Sequence, residues 1–454
     1  MHDLVHDLAR SVASDKCSIV DPSSSNETLS QNSRYASFIC DEKSQSASLL
    51  SLHDAKKLRT LYIHKHILFI QNVNEVLHVI SSNVNLLRAL HLKYCPLKTL
   101  PDSFKKLKHL RYLDHSRILL DSFPPCISTL HSLKTLNLSQ TNIESIPDSI
   151  GNLCNLSTLD LGYCSHLSSL PESICALSNL HPLTLTNCYL IQQLPQNICN
   201  INRLVHLNIH KTQLTFLPRR LGKLSQLRTL PIFICGGKTD CSLAELSSLK
   251  LEGELQIKAL QRVTSVDEVK VAHLNEMCGI RILNLIYQAK DVLQNLQSHN
   301  NLKELEIQCH VGRSFLQWIL SLSNLARLTQ RCCKCEKLSA LGQLPQLEYL
   351  HFIELPLIKQ LSPYMYMTEV VATSLLSFVS DQLESKAHSE FALLTGAEEE
   401  LRKLERTLST IQHVLEDAET KQVKDRALRS WLKKLKDLAY DADDVCHLHS
   451  RSEL

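Results

Sequence analysis

One spacing dominates this chain. A leucine opens a Leu-x-x-Leu-x-Leu-type unit at Leu87, Leu110, Leu133, Leu156, Leu180, Leu204 and Leu227, at intervals of 23, 23, 23, 24, 24 and 23 residues. Each unit but the last carries a turn-marking proline at a matching offset: Pro101, Pro124, Pro147, Pro171, Pro195 and Pro218. Self-similarity at such a period takes precedence over any domain guess from composition. Alternation within Leu-x-Leu puts the leucines on one face of a short strand and the intervening residues on the other. One unit cannot bury its apolar face alone, so successive units must stack around a continuous core and leave the strand face open. The spacing therefore predicts an α/β solenoid of leucine-rich repeats, a horseshoe, over residues 51–362. Less regular units flank the array at Leu58 to Ile63 and at Ile280, Leu302, Leu325 and Leu347, and residues 236–279 carry the pattern least.

Charge and cysteine content narrow the partners. Lys plus Arg number 49 against 46 Asp plus Glu, a balance of +3. That gives no electrostatic reason to expect nucleic acid or an anionic membrane and points to protein partners. Met1-His2-Asp3-Leu4 lacks a basic, then apolar, secretory leader, and no apolar run reaches the roughly 20 residues of a membrane span. The expected location is the cytoplasm, with the nucleus also open. The 17 cysteines are spread thinly along the chain and are read as reduced thiols. Cys95, Cys164, Cys188, Cys235 and Cys333 all take the ninth position of their units, where Thr141 and Thr212 stand in others. A small side chain packed behind the strand fits that position, so these are expected to be buried structural thiols.

Three signals look chemical. Cys332-Cys333-Lys334-Cys335 offers half a zinc site without a second ligand pair, so no metal is expected. Gly236-Gly237-Lys238-Thr239 lies in a context suited to a phosphate loop, but the position needing the leading glycine is Ile232. His2 and His6 could share a helix face, yet no third ligand accompanies them, and a solvated amphipathic helix is the simpler reading. No catalytic residue is assigned and no cofactor is expected.

The opening Met1-His2-Asp3-Leu4-Val5-His6-Asp7-Leu8-Ala9 resembles the MHD motif that ends the nucleotide-binding module of plant disease-resistance receptors, the NB-ARC leucine-rich-repeat family, and the Leu-Pro repeats resemble theirs too. The resemblance implies that His2 is the vestige of an ADP sensor, with ADP or ATP relevant only where the rest of that module is present. It also implies protein partners: a pathogen effector, a host protein under guard, or an intact receptor. Glu398-Glu399-Glu400-Leu401 and Tyr440-Asp441-Ala442-Asp443-Asp444-Val445 resemble the family's N-terminal coiled-coil domain, here placed last and cut short in its final helix. In the resembled family an acidic motif contacts the repeats. Asp443 and Asp444 are thereby expected to dock on Arg59, Arg88 and Arg111, which recur at the second position of early units.

The residues of the tail agree with a helical reading. Leu401, Leu404, Leu408, Ile411 and Leu415 recur at three and four, leaving charged residues on the opposite face, and Trp431 and Leu435 supply a further stripe. The expected organisation is a remnant of the nucleotide-binding module's last helical subdomain with its linker over 1–50, the solenoid over 51–362, and an all-α helical bundle over 363–454. Polar residues at the open strand positions are the candidate protein-binding face: Lys93, Tyr112, Asp114, Asn137, Asp160, His206, Asn208 and His210.

Overall fold

The computed structural model describes residues 16–20, 29–38, 52, 55–63, 73–94, 98–236, 240–263, 265–286, 292–310, 312, 316–335, 337–338, 341, 344–353 and 360–361. The expected helical bundle, His2, Cys95, Lys238, Asp443 and Asp444 lie outside the described residues. The chain forms two compact units, Met1–Leu251 and Glu252–Leu454.

In the first unit nine short strands lie side by side in chain order and all parallel. They are β1 (Cys17–Val20), β2 (Tyr35–Phe38), β3 (Thr60–Ile63), β4 (Ala89–His91), β5 (Tyr112–Asp114), β6 (Thr135–Asn137), β7 (Thr158–Asp160), β8 (Pro182–Thr184) and β9 (His206–Asn208), and β10 (Ile232–Ile234) follows. The two strands β1 and β2 precede the first unit legible in sequence and join the same sheet. Registers repeat without slippage: Tyr112 pairs with Thr135 and Thr135 with Thr158, Asp114 with Asn137 and Asn137 with Asp160. The opening leucines Leu87, Leu110, Leu133, Leu156, Leu180, Leu204 and Leu227 are all fully buried. Burial of such a side chain is worth about 1.5–3 kcal/mol, so a row of them is the main force holding the stack.

The prolines explain how each unit turns back. Pro101, Pro124, Pro147 and Pro171 sit in extended backbone immediately before a 3₁₀ turn. Their carbonyls accept the first bond of that turn, from the amides of Phe104, Ile127, Ile150 and Ile174. The ring fixes φ and the missing N–H would be unsatisfied there in any case, so proline costs nothing at this point. A side-chain ladder runs beneath: Asn155 donates to the His131 carbonyl at 2.8 Å and Asn179 to that of Cys154 at 2.9 Å, tying each unit to its predecessor.

Behind the strands, the eighth position adopts left-handed backbone in unit after unit: Tyr94, Arg117, Gln140, Tyr163, Asn187 and Lys211 have φ between 56° and 66°. None is glycine, and each of the first five is held there by an amide bond to the next unit, as from Gln140 to the Gly162 carbonyl at 2.8 Å. The ninth position then points inward. Cys164, Cys188, Cys235 and Cys333 are completely buried. The Cys164 thiol donates to the Leu138 carbonyl at 3.2 Å and that of Cys188 to Leu161 at 3.1 Å, while Thr141 reaches the same Leu138 oxygen at 2.8 Å. Burial pushes the Cys188 and Cys333 thiols up to about 12, so they remain protonated donors.

The second unit has an α-helix, α2 (Val266–Val271), within the stretch where the pattern fades; α1 (Val73–Asn83) belongs to the first unit and α3 (Val292–Asn295) again to the second. Its strands are β11 (Gly253–Lys258), β12 (Ile280–Ile286), β13 (Glu304–Gln308), β14 (Arg327–Arg331), β15 (Lys337–Leu338), β16 (Tyr349–Ile353) and β17 (Gln360–Leu361). Strands β11 to β14 and β16 are parallel neighbours in that order, and β15 pairs with β17. No helix among the described residues is long and apolar enough to cross a membrane.

Candidate functional site

The strand face of the first unit presents side chains in register rows. One row runs Thr60, Ala89, Tyr112, Thr135 and Thr158, and another Tyr62, His91, Asp114, Asn137 and Asp160. Thr184 and Asn208 continue the second row, and Pro182 and His206 pair in the first. Six of the candidate residues, Tyr112, Asp114, Asn137, Asp160, His206 and Asn208, thus occupy two straight lines, one pleat apart. Lys93 and His210 follow the strands, at the seventh position of their units.

Four of the row residues also serve the fold. Asp114, Asn137, Asp160 and Asn208 each turn one side-chain oxygen back onto the amide two residues ahead, those of Ser116, Ser139, Gly162 and His210, at 2.9–3.3 Å. This is the Asx turn that ends a strand, and it explains why Asp and Asn recur there. Their second polar atom is what remains for a ligand. Asp114 is only 8% exposed, deeper than an outward strand position suggests. Burial opposes its ionisation, but hydrogen bonds from His91 and Ser116 outweigh that and hold its pKa below the ordinary carboxylate value. At Asp160 burial raises the pKa, the Gly162 amide pulls against it, and the charge of Asp114 adds to the rise.

The structure adds residues that the sequence reading passed over. Tyr62, His91 and Tyr112 stack across three strands, with ring centroids 4.7 Å and 4.5 Å apart, and His91 Nδ1 lies 3.8 Å from Asp114 Oδ2. The Leu-x-x-Leu-x-Leu rule applied at Leu58 and Leu87 would have found Tyr62 and His91, since both stand between leucine-type positions. Tyr94 receives Lys93 over its ring at 5.4 Å and Arg117 at 5.3 Å, so Lys93 is engaged with its neighbour at the strand end. His206 Nδ1 lies 2.9 Å from Thr229 Oγ1.

Arg59, Arg88 and Arg111 form part of a longer line. The amide of Arg34 bonds to the Lys16 carbonyl, Arg59 to Arg34, Arg88 to Arg59, Arg111 to Arg88 and Lys134 to Arg111, at 2.7–2.8 Å. Six successive basic residues therefore share one position, about 4.8 Å apart. The line ends at Ser157.

On the second unit the strand face is internally paired. Arg327 meets Glu304 at 3.3 Å and lies 4.9 Å from the Tyr349 ring centroid, and Arg331 meets Glu306 at 2.8 Å. Of the Cys332-Cys333-Lys334-Cys335 run, Cys332 is exposed in left-handed backbone while Cys333 and Cys335 are buried. Among the described residues no cluster of His, Cys, Asp or Glu could hold a metal.

A stacked parallel sheet with leucines buried at a 23–24-residue spacing defines a leucine-rich-repeat fold. Family models agree: a leucine-rich repeat region matches residues 57–168, the R13L1/DRL21 LRRs match 243–355, and the Rx N-terminal domain matches 375–450. The chain is similar to the disease resistance proteins RGA4 and RGA2 of Solanum bulbocastanum, at 43% identity over 77 residues and 39% over 75. Those matches cover 17% and 16% of this chain and 7% and 8% of the relatives' own length. Among solved structures, a leucine-rich-repeat protein of Leptospira interrogans superposes with a TM-score of 0.57 at 20% identity, covering 77% of this chain and 85% of that one, a likeness of fold. Leucine-rich-repeat models and an Rx N-terminal domain model thus match separate parts of one chain, which over short stretches is similar to plant disease resistance proteins.

Proposed function

We propose that the chain serves plant innate immunity as a non-enzymatic protein-recognition module, acting in the cytoplasm or nucleus. Through the strand face of its first unit it binds a pathogen effector, a guarded host protein or an intact receptor. The observation that carries this reading is the unbroken sheet β1 to β9, which lays out two rows of polar and aromatic side chains in fixed register. Candidate contacts are Lys93, Tyr112, Asp114, Asn137, Asp160, His206, Asn208 and His210. Of the divisions 1–50, 51–362 and 363–454 expected from sequence, the first gives strands β1 and β2 to the same sheet as the second. The test is co-purification from plant tissue with Asn137→Lys, Asp160→Lys and His206→Glu variants against charge changes at Lys108, Asp148 and Lys223 on the opposite turns. Loss of captured proteins in the first set only is expected, with or without added Mg-ATP. Loss in the second set only would refute the strand face.

The small share of its relatives' length that the chain spans favours a second reading, in which it is a fragment of an ADP/ATP-switch resistance protein and His2 is the vestige of its ADP sensor. We further propose that Asp443 and Asp444 dock on the basic line at Arg59, Arg88 and Arg111. Arginine's planar fork suits carboxylates, and exposed pairs of this kind are worth about 0–1 kcal/mol each, so the docking is weak and salt-sensitive. Residues 1–362 titrated with 367–454 at low salt should bind, and binding indifferent to Asp443→Lys with Asp444→Lys would sink the idea.

A further inference from the structure

The second unit displays an acid, a cation and a ring along one row: Glu304, Arg327 and Tyr349 pair in line across β13, β14 and β16. There the guanidinium is bonded to the carboxylate on one side and lies against the ring on the other. The first unit holds the acid and the rings in comparable proximity. Tyr112 and Asp114 stand two residues apart on β5, hence on the same face, and His91 stacks on Tyr112 while approaching Asp114. Among the described residues no lysine or arginine pairs with Asp114 or Asp160. Asp114 keeps its charge in a largely desolvated setting, with Oδ1 bound to the Ser116 amide and Oδ2 toward His91. A carboxylate beside aromatic faces favours a planar, weakly hydrated cation over a compact ammonium.

We propose that Tyr112, Asp114 and His91 seat an arginine side chain of the partner protein. The inference rests on the strand-face reading above and names what that face recognises. The neighbouring basic line fixes the rest of the ligand's chemistry. Arg88 and Arg111 immediately precede Ala89 and Tyr112, so a purely basic segment would be repelled. The matching segment carries carboxylates on either side of its arginine, facing the basic line.

The probe is a fluorescein-labelled peptide Asp-Glu-Arg-Glu-Asp and its citrulline counterpart, titrated with the intact chain at low ionic strength and read by anisotropy. Citrulline keeps the shape of arginine and removes the charge. Asp114→Asn is the informative variant, because Asn137 shows that asparagine makes the same turn, onto Ser139 at 3.0 Å. Replacing arginine by citrulline should weaken binding roughly tenfold, as a charge-assisted bond to a largely desolvated carboxylate implies. Asp114→Asn should do the same to the arginine peptide while leaving the citrulline peptide unaffected. Equal affinity for both peptides, no effect of Asp114→Asn, or no binding of either peptide would overturn the proposal. A double variant Arg88→Glu with Arg111→Glu separates the two levels. If it abolishes binding of both peptides while citrulline makes no difference, the strand face stands and the arginine seat falls. If strand-face variants change neither peptide nor protein capture, both fall.

Discussion

His115 occupies the sixth position of its unit, where Leu92, Leu138, Leu161 and Leu185 stand in others. It is completely buried, and neither ring nitrogen has a hydrogen-bond partner. Burial drives its pKa down to about 3, with the charge of Asp114 pulling weakly the other way. The folded chain therefore holds a neutral imidazole, while the unfolded chain takes up a proton near the ordinary value of about 6.5. Below that pH the unfolded state binds more protons, so stability falls as pH drops from about 6.5 toward 3, by up to roughly 1.4 kcal/mol per unit. His115→Leu should stabilise the protein by about 2 kcal/mol at pH 7, since each orphaned buried polar atom costs about 1–3 kcal/mol. The advantage should widen by about 2 kcal/mol at pH 5. Urea midpoints of both proteins at the two pH values check this, and a constant gap would mean that the ring is solvated in the folded state.

At the scale of the repeat, neighbouring units come so close that small residues become obligatory. A Cβ on Gly151 would stand 2.9 Å from the Ser173 carbonyl oxygen, on the 3₁₀ turn of the next unit. Gly151→Ala should cost about 1–3 kcal/mol through that clash with backbone. Asn179→Ala, which removes the bond to the Cys154 carbonyl and the one received from Arg203, should cost about 1 kcal/mol. Chemical denaturation of both variants measures the difference, and a smaller loss for Gly151→Ala than for Asn179→Ala would contradict the ranking. The leucine spacing made strand positions and their buried faces readable, because alternation and period act within a few residues. It also placed the thiols of Cys164, Cys188, Cys235 and Cys333. The left-handed eighth position was not readable: its usual signature is glycine or asparagine, and here Tyr94, Arg117, Gln140 and Tyr163 are held by bonds from their own amides to carbonyls of the next unit. The depth of Asp114 was hidden likewise, since it lies beside His91 on the adjacent strand and turns back on its own Ser116 amide.

Among the described residues contacts run mainly between neighbouring elements, so stability adds up repeat by repeat. The rows on the two strand faces differ in kind: in the second unit Glu304 and Glu306 carry their own arginines, whereas the first unit has a basic line, a ring stack and the carboxylates of Asp114 and Asp160. Uniform register has an evolutionary consequence. Residues 134–156 make one full period of 23, and their loss would join Leu133 to Ser157 with every remaining leucine still in its slot. The rows would close up by one rung, bringing Asp160 beside Asp114 and Thr158 beside Tyr112, whereas a deletion one residue shorter would turn the following leucines toward water. Gain or loss of whole periods, the kind of change that unequal crossing-over between similar DNA stretches produces, can thus rewrite the order of side chains along the strand face without redesigning the core.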